Sequence, residues 1–174
     1  LLSSVSYMDG HRVDIERAGE ICERRGADLV VDGSQQLGVE PLDLSRCKVA
    51  FFCAASYKWL CAGPGLGILY ASSSVLQRME LGAAPAAGWF GQAVDGRNFE
   101  LNPYADARRF HYGTPNLTVL AALCASLQLI DEVGGVSAIA ARNLELSTYL
   151  RDSLRSKCFA IVGAFGTPIT AGAH

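Results

Sequence analysis

Apolar positions along this chain recur with two different spacings. After a short apolar run at 1–6 and a turn at Asp9-Gly10, Ile15, Ala18, Ile21 and Cys22 return at helical spacing. Asp14 stands where an N-cap is wanted, and Gly26 stands where a left-handed stop is wanted. Residues 28–32 then carry Leu29-Val30-Val31, a short run that is apolar on both faces. Such strands belong to parallel sheets covered by helices on each side. Residues 49–54 repeat the pattern, and 66–71 repeat it again behind a glycine-rich turn. The alternation predicts an α/β fold with a mostly parallel sheet flanked by helices and with active groups at the carboxyl ends of the strands.

Residues 83–107 break the rhythm. They are rich in Gly, Pro and aromatics and show no clean period, which predicts a long irregular connection of functional or interfacial use. A helix is predicted over 117–133, with Leu120, Leu123, Cys124, Leu127 and Ile130 on one face and Gly134-Gly135 as its stop. A second follows over 136–156, with Ile139, Leu146, Leu150 and Leu154 on its stripe. At 1.5 Å per residue it is about 31 Å long, enough to bridge two domains. Residues 159–162 read as a new strand. The predicted organisation is therefore 1–135 as part of a large domain lacking its N-terminal portion, 136–156 as a connecting helix, and 157–174 as the start of a truncated C-terminal small domain.

Composition narrows the function classes. At 174 residues, half of them hydrophobic and only 18% charged, the chain is apolar for a free-standing domain. No stretch reaches the roughly 18 uncharged apolar residues of a membrane span, so the excess is read as surface awaiting a partner. A net charge of −2 and the lack of a basic stripe argue against nucleic acid. The six cysteines form no CxxC pair and no His/Cys spacing suited to a metal. They read as small hydrophobes in a reducing, cytoplasmic compartment. Leu1 is not an initiator and the chain stops within an apolar segment, so a piece of a longer polypeptide is expected.

The chemistry lies at the strand ends. Asp32 closes one apolar strand, and Lys58 follows the next, between Tyr57 and Trp59 and just ahead of Gly63-Pro64-Gly65-Leu66-Gly67. An acid and a lysine so placed on neighbouring strands suit the anchoring of pyridoxal phosphate. The amine forms a Schiff base with the cofactor aldehyde, and the carboxylate keeps the pyridine nitrogen protonated. Gln35, one turn beyond Asp32, is in position for the phenolic oxygen. The Gly63–Gly67 run precedes a strand and no helix, the reverse of a dinucleotide loop, and reads as a turn of close backbone approach.

Taken in order, Val5-Ser6-Tyr7 with Gly10, Asp32 with Gln35, Lys58-Trp59 with Gly63-Pro64 and Gly67, Gly88-Trp89, and Arg109-Phe110 with Gly113-Thr114-Pro115-Asn116 resemble the class V aminotransferase family of fold-type I pyridoxal-phosphate enzymes. That family includes cysteine desulfurases, kynureninases, isopenicillin epimerase-like proteins and several transaminases. The resemblance implies a fold-type I large domain followed by the start of an α/β small domain. It implies that Asp32 pairs with the pyridine nitrogen, Gln35 with the phenolic oxygen, and Lys58 with the aldehyde, with Ser56 and Tyr57 completing the cofactor-binding set. It also implies that Thr114 reaches the phosphate of a partner subunit's cofactor, making the working unit a homodimer with shared sites.

The chain departs from the desulfurase pattern at several positions. Tyr57 stands in place of the histidine before the lysine, and Ala55 in place of the serine two positions earlier. The Ser56-Tyr57-Lys58 order is closer to kynureninases and to several uncharacterised class V members, in which the tyrosine can donate to the phosphate. Cys158 comes too early to be the desulfurase nucleophile, and His111 reads as a polar turn residue. The N-terminal phosphate loop, the ring-stacking aromatic and the arginine for the substrate carboxylate all lie outside these residues. The expected function is a pyridoxal-phosphate enzyme acting on a small amino acid, most like a class V aminotransferase. The alternatives are a desulfurase- or kynureninase-like Cβ lyase or hydrolase, and a non-catalytic paralogue.

Overall fold

The computed structural model describes residues 1–79, 89–93, 99–111 and 113–161. Its centre is a four-stranded sheet in the order β1 (Leu2–Ser3), β2 (Val30–Asp32), β3 (Phe51–Ala55), β4 (Gly67–Ala71). The first three strands run parallel, with Ser3 opposite Asp32 and Asp32 opposite Cys53. Helix α1 (Ile15–Arg24) makes the crossover from β1 to β2. The Asp14 carboxylate caps it by accepting the Arg17 N–H at 2.9 Å, and Gly26 leaves it at φ 63°. Strand β4 runs antiparallel to β3. No crossover helix lies in 56–66, so the chain can only double back.

Two clusters make the core. On one side Ile15 of α1 packs with Leu29, Val31, Val49, Phe52 and Ala54. On the other, Leu60 and Ala62 pack with Val119, Leu123 and Ile130 of α3 (Leu117–Glu132). Leu37 and Ile68 touch both clusters, which joins the sheet to the segment after Lys58. The buried face of α3 is Val119, Leu123, Ser126 and Ile130, whereas Leu120, Cys124 and Leu127 are exposed. The expected stripe was thus rotated by one position. α3 is apolar nearly all round, so its period alone does not say which face turns inward.

Helix α4 (Gly135–Arg155) begins at Gly134, whose φ of 97° gives the break after α3. Val136 and Ile139 rest on the second cluster, while Leu146, Tyr149 and Leu150 are exposed. Among the described residues no single helix is long and apolar enough to cross a membrane, and the α3–α4 pair bends by 70° at the break.

Two expectations change, and two short elements are added. The segment expected to be irregular contains an antiparallel hairpin, β5 (Trp89–Ala93) with β6 (Phe99–Pro103), and a 3₁₀ turn at Ala107–Phe110. Gly91 and Pro103 interrupt its alternation, and Pro103, which has no N–H to donate to a ladder, stands at the strand end. A short helix, α2 (Ser73–Arg78), follows β4, with the Ser72 hydroxyl accepting the Val75 N–H at 3.3 Å. Another 3₁₀ turn occupies Leu44–Arg46. Finally, 159–161 form no strand, since nothing among the described residues pairs with them, and 162–174 lie outside the described residues.

Candidate active site

Asp32 ends β2 half-buried, and its Oδ1 accepts the Ser34 N–H at 2.9 Å. The Ser34 hydroxyl, the Ser34 N–H and then the positive charge of Lys58 hold the Asp32 carboxyl below its ordinary 3.8, against the opposing effect of burial. The structure therefore brings Asp32 and Lys58 into one electrostatic neighbourhood, on the carboxyl side of adjacent parallel strands. Cys53, level with Asp32 on β3, donates its S–H to the Val31 carbonyl at 3.6 Å. Burial, and next the Asp32 charge, push its thiol up.

The backbone beneath Asp32 is tightly held. The Gly33 N–H donates to the Cys53 carbonyl at 2.8 Å, and the Gly33 carbonyl accepts the N–H groups of Gln36 and Leu37. A Cβ on Gly33 would lie 1.8 Å from Cζ of Phe52, so only glycine lets the chain cross that ring. The following turn bears Gln35 and then Gly38, which at φ 94° packs against the Trp59 backbone and the Leu60 side chain. Gln35 lines a cavity of about 580 Å³ together with Trp59, Val5, Arg12 and Leu144. Arg12 and Glu40 pair at its wall.

Lys58 is half-buried, and Tyr57 is exposed beside it. The loop carrying them is closed from within. The Ala62 N–H donates to the Ser56 carbonyl at 3.0 Å and the Cys61 N–H to the Lys58 carbonyl at 3.0 Å. Ser56 has no exposed surface, and its hydroxyl reaches the carbonyls of Leu66 at 2.8 Å and Gly63 at 3.3 Å. Its side chain points into the loop and holds the glycine turn in place, because burying that hydroxyl without partners would be costly. The buried Ser126 hydroxyl of α3 donates to the Leu60 carbonyl and fastens the other end of the loop.

Thr114 is exposed on the turn before α3. Asn116 caps that helix by accepting the Val119 N–H at 3.3 Å, and its amide lies beside Gly65. Buried Arg109 supports the approach to the turn, donating Nε to the Tyr104 carbonyl at 2.7 Å and Nη1 to the Leu76 carbonyl at 2.8 Å. The Phe110 ring meets Phe51 of β3 edge-on at 5.9 Å. His111 is exposed at the end of the 3₁₀ turn. Gly88 and Tyr112 lie outside the described residues.

Sequence reasoning gave no role to Ser34, Gly33 or Ser126, and quoted Arg109 only as part of a family motif. A serine two positions after a strand-end aspartate is a recognisable turn arrangement, and Ser34 was legible on that ground. The other three depend on what packs against them.

The sequence matches the Aminotransferase class-V family over residues 1–163. It is 33% identical over 132 residues to the uncharacterized aminotransferase YcbU of Bacillus subtilis (strain 168), covering 75% of this chain and 34% of that protein. It is 35% identical over 178 residues to a kynureninase of Eremothecium gossypii, covering 97% and 39%. The apo cysteine desulfurase of Thermococcus onnurineus NA1 has the same fold, with a TM-score of 0.77 at 22% identity over 94% of this chain and 40% of that one. A C-DES mutant with glycine covalently linked to its PLP cofactor gives 0.78 at 23%, over 88% and 41%. The chain spans 34% to 41% of the length of these proteins. With a family match that runs from the first residue through both Asp32 and Lys58, and with fold-type I enzymes as its structural neighbours, the chain belongs to the aminotransferase class-V family.

Proposed function

We propose that the protein containing this chain is a pyridoxal-phosphate-dependent enzyme acting on a small amino acid, most like the class V aminotransferases. One observation carries the reading. The Asp32 carboxylate ends β2, the half-buried Lys58 sits on the loop that leaves the adjacent parallel strand β3, and the lysine's charge helps hold the carboxyl below its ordinary pKa. The residues present fit the cofactor. Asp32 would hold the pyridine nitrogen, Gln35 the phenolic oxygen, Tyr57 the phosphate and Lys58 the aldehyde carbon. When bound, the cofactor supplies an aldehyde for condensation with amines and a ring that accepts electrons. Asp32 keeps a proton at the ring nitrogen, which its depressed pKa favours by keeping the carboxylate charged. Lys58 Nζ would be the base and acid that moves a proton at the substrate Cα.

The working unit is a cytoplasmic homodimer in which Thr114 serves the partner's cofactor phosphate. The Gly113–Asn116 turn supports this by presenting Thr114 to solvent ahead of α3, whose first N–H groups suit an anion. Six free cysteines support a reducing compartment. Residues 1–135 belong to the large domain, 136–156 connect, and 157–174 open the small one. The exposed second half of α4 supports that division.

A second reading, a Cβ lyase or hydrolase, is favoured by the Ser56-Tyr57-Lys58 order and by kynureninase relatives at 30% to 35% identity. Product analysis separates the two. The full-length enzyme loaded with cofactor and offered amino acids with a 2-oxo acid acceptor should exchange amino groups. Release of alanine from a Cβ-substituted amino acid without exchange would favour the second reading. If wild-type protein takes up no cofactor, or if Lys58→Ala retains wild-type turnover, the proposal fails.

A further inference from the structure

Ala55 ends β3 and Gly67 begins β4, and the two are paired in the antiparallel ladder. The segment that carries Lys58 therefore leaves and re-enters the sheet through one neck, with Ser56 and Leu66 on its two sides. The Ser56 N–H donates to the Leu66 carbonyl at 3.3 Å, and the Ser56 hydroxyl donates to the same carbonyl at 2.8 Å. A hydroxyl has one proton to give, and its second acceptor, the Gly63 carbonyl, lies farther off at 3.3 Å. The bond across the neck is thus the main one. Beyond it the loop is bonded inward, the Ala62 N–H to the Ser56 carbonyl and the Cys61 N–H to the Lys58 carbonyl, each at 3.0 Å. Gly38 packs so closely on the next residue that a Cβ there would lie 3.0 Å from the Trp59 carbonyl carbon. The main chain is held on both sides of Lys58.

We propose that Ser56 is a positioning residue, whose buried hydroxyl closes the neck of the Lys58 loop and so sets where the lysine amine is presented. The inference rests on the reading of Lys58 as the cofactor's anchor, and it adds how that lysine is held. Direct contact with the cofactor is the competing role. It would require the hydroxyl to turn away from both carbonyls, and Ser56 has no exposed surface through which to meet a ligand. Removing the hydroxyl leaves the Leu66 carbonyl with only the longer N–H bond from Ser56, inside a site where an unmet acceptor is costly.

Two measurements on the full-length protein separate the roles. Amide hydrogen exchange is read on the apoprotein. In Ser56→Ala the Cys61 and Ala62 amides should exchange about five- to tenfold faster, the worth of one hydrogen bond, and the β2 amides should change less. A general loss of stability would instead speed both sets alike. Capture is then read with pyridoxal 5′-phosphate and with pyridoxal, which lacks the phosphate, as the borohydride-fixed label on Lys58. Positioning requires Ser56→Ala to slow both captures by the same factor, up to about 10²-fold. If the alanine variant does not fold, Ser56→Cys, with a weaker donor of similar size, takes its place and should show the same two effects in smaller measure. A loss confined to pyridoxal 5′-phosphate would make Ser56 a phosphate contact and overturn the proposal. Loop amides that are unchanged, or that change only in step with β2, would overturn it as well. Wild-type protein that captures neither aldehyde on Lys58 would count against the proposed function, while the exchange rates would still decide whether Ser56 closes the loop.

Discussion

Replacing Gly33 with alanine puts a methyl where the Phe52 ring already lies. The added carbon would sit 1.8 Å from Cζ and 2.2 Å from Cε2. Carbon atoms settle at about 3.5–4.0 Å, so ring and backbone must part by about 1.5–2 Å. The ring has nowhere to go. Phe52 is 2% exposed and packed among Ile15, Leu29, Val31 and Val49. The backbone is also held, by the Gly33–Cys53 bond and the two N–H groups on the Gly33 carbonyl. Overpacking of a filled core costs about 1–3 kcal/mol, and an overlap this deep between two fixed partners belongs at the upper end. We expect a loss of about 3 kcal/mol in urea unfolding of the full-length protein, with coincident circular dichroism and fluorescence transitions justifying the arithmetic. A displacement near 1 Å at Asp32 would also lower turnover by about 10²-fold. Phe52→Leu in the same chain should recover part of the loss, a coupling of about 0.5–3 kcal/mol. A Gly33→Ala variant within about 0.5 kcal/mol of wild type, or strict additivity with Phe52→Leu, would refute the close-approach argument.

The other predictions address the site and its frame. Asp32→Asn should lower turnover by about 10²–10³-fold, roughly 3–4 kcal/mol of lost charge stabilisation, while cofactor affinity falls much less; near wild-type kcat would make Asp32 a turn residue only. Ser126→Ala leaves the buried Leu60 carbonyl without its donor and should cost about 1–3 kcal/mol, read as a lower urea midpoint; an unchanged midpoint would mean that another group or water satisfies it. The Asp32 carboxyl lies below its ordinary 3.8 when folded, so its stabilisation is complete above that value and is lost as pH falls through the folded pKa. Urea midpoints should therefore drop on acidification below about pH 4, and the drop should be smaller in Asp32→Asn; equal acid sensitivity in both would remove Asp32 from the acid response.

The parallel strands were legible because they rest on local rules, and so was the placing of Asp32 and Lys58 at neighbouring strand exits. Leu29-Val30-Val31 is apolar on both faces, which fits a buried strand, and Asp32 and Lys58 each follow closely on such a run. Features decided by closure across the chain were not legible. Ser56 points inward because the loop closes on Leu66 and Gly63, and nothing in its neighbours' identities says so. The buried face of α3 was misjudged because Leu120 and Leu127 are as apolar as Val119 and Leu123, and the choice between them is made by packing on Leu60 and Ala62 and by the Ser126–Leu60 bond. The β5–β6 hairpin escaped because Gly91 and Pro103 break the alternation that marks a strand.

The central claim is that Lys58 is the cofactor's covalent anchor, and peptide mapping tests it directly. Borohydride reduction of the full-length holoenzyme, followed by proteolysis and mass spectrometry, should find the pyridoxyl group on Lys58 and find none in Lys58→Ala. A label on Lys48, on Lys157 or elsewhere, at wild-type yield in the Lys58→Ala variant, would contradict the account.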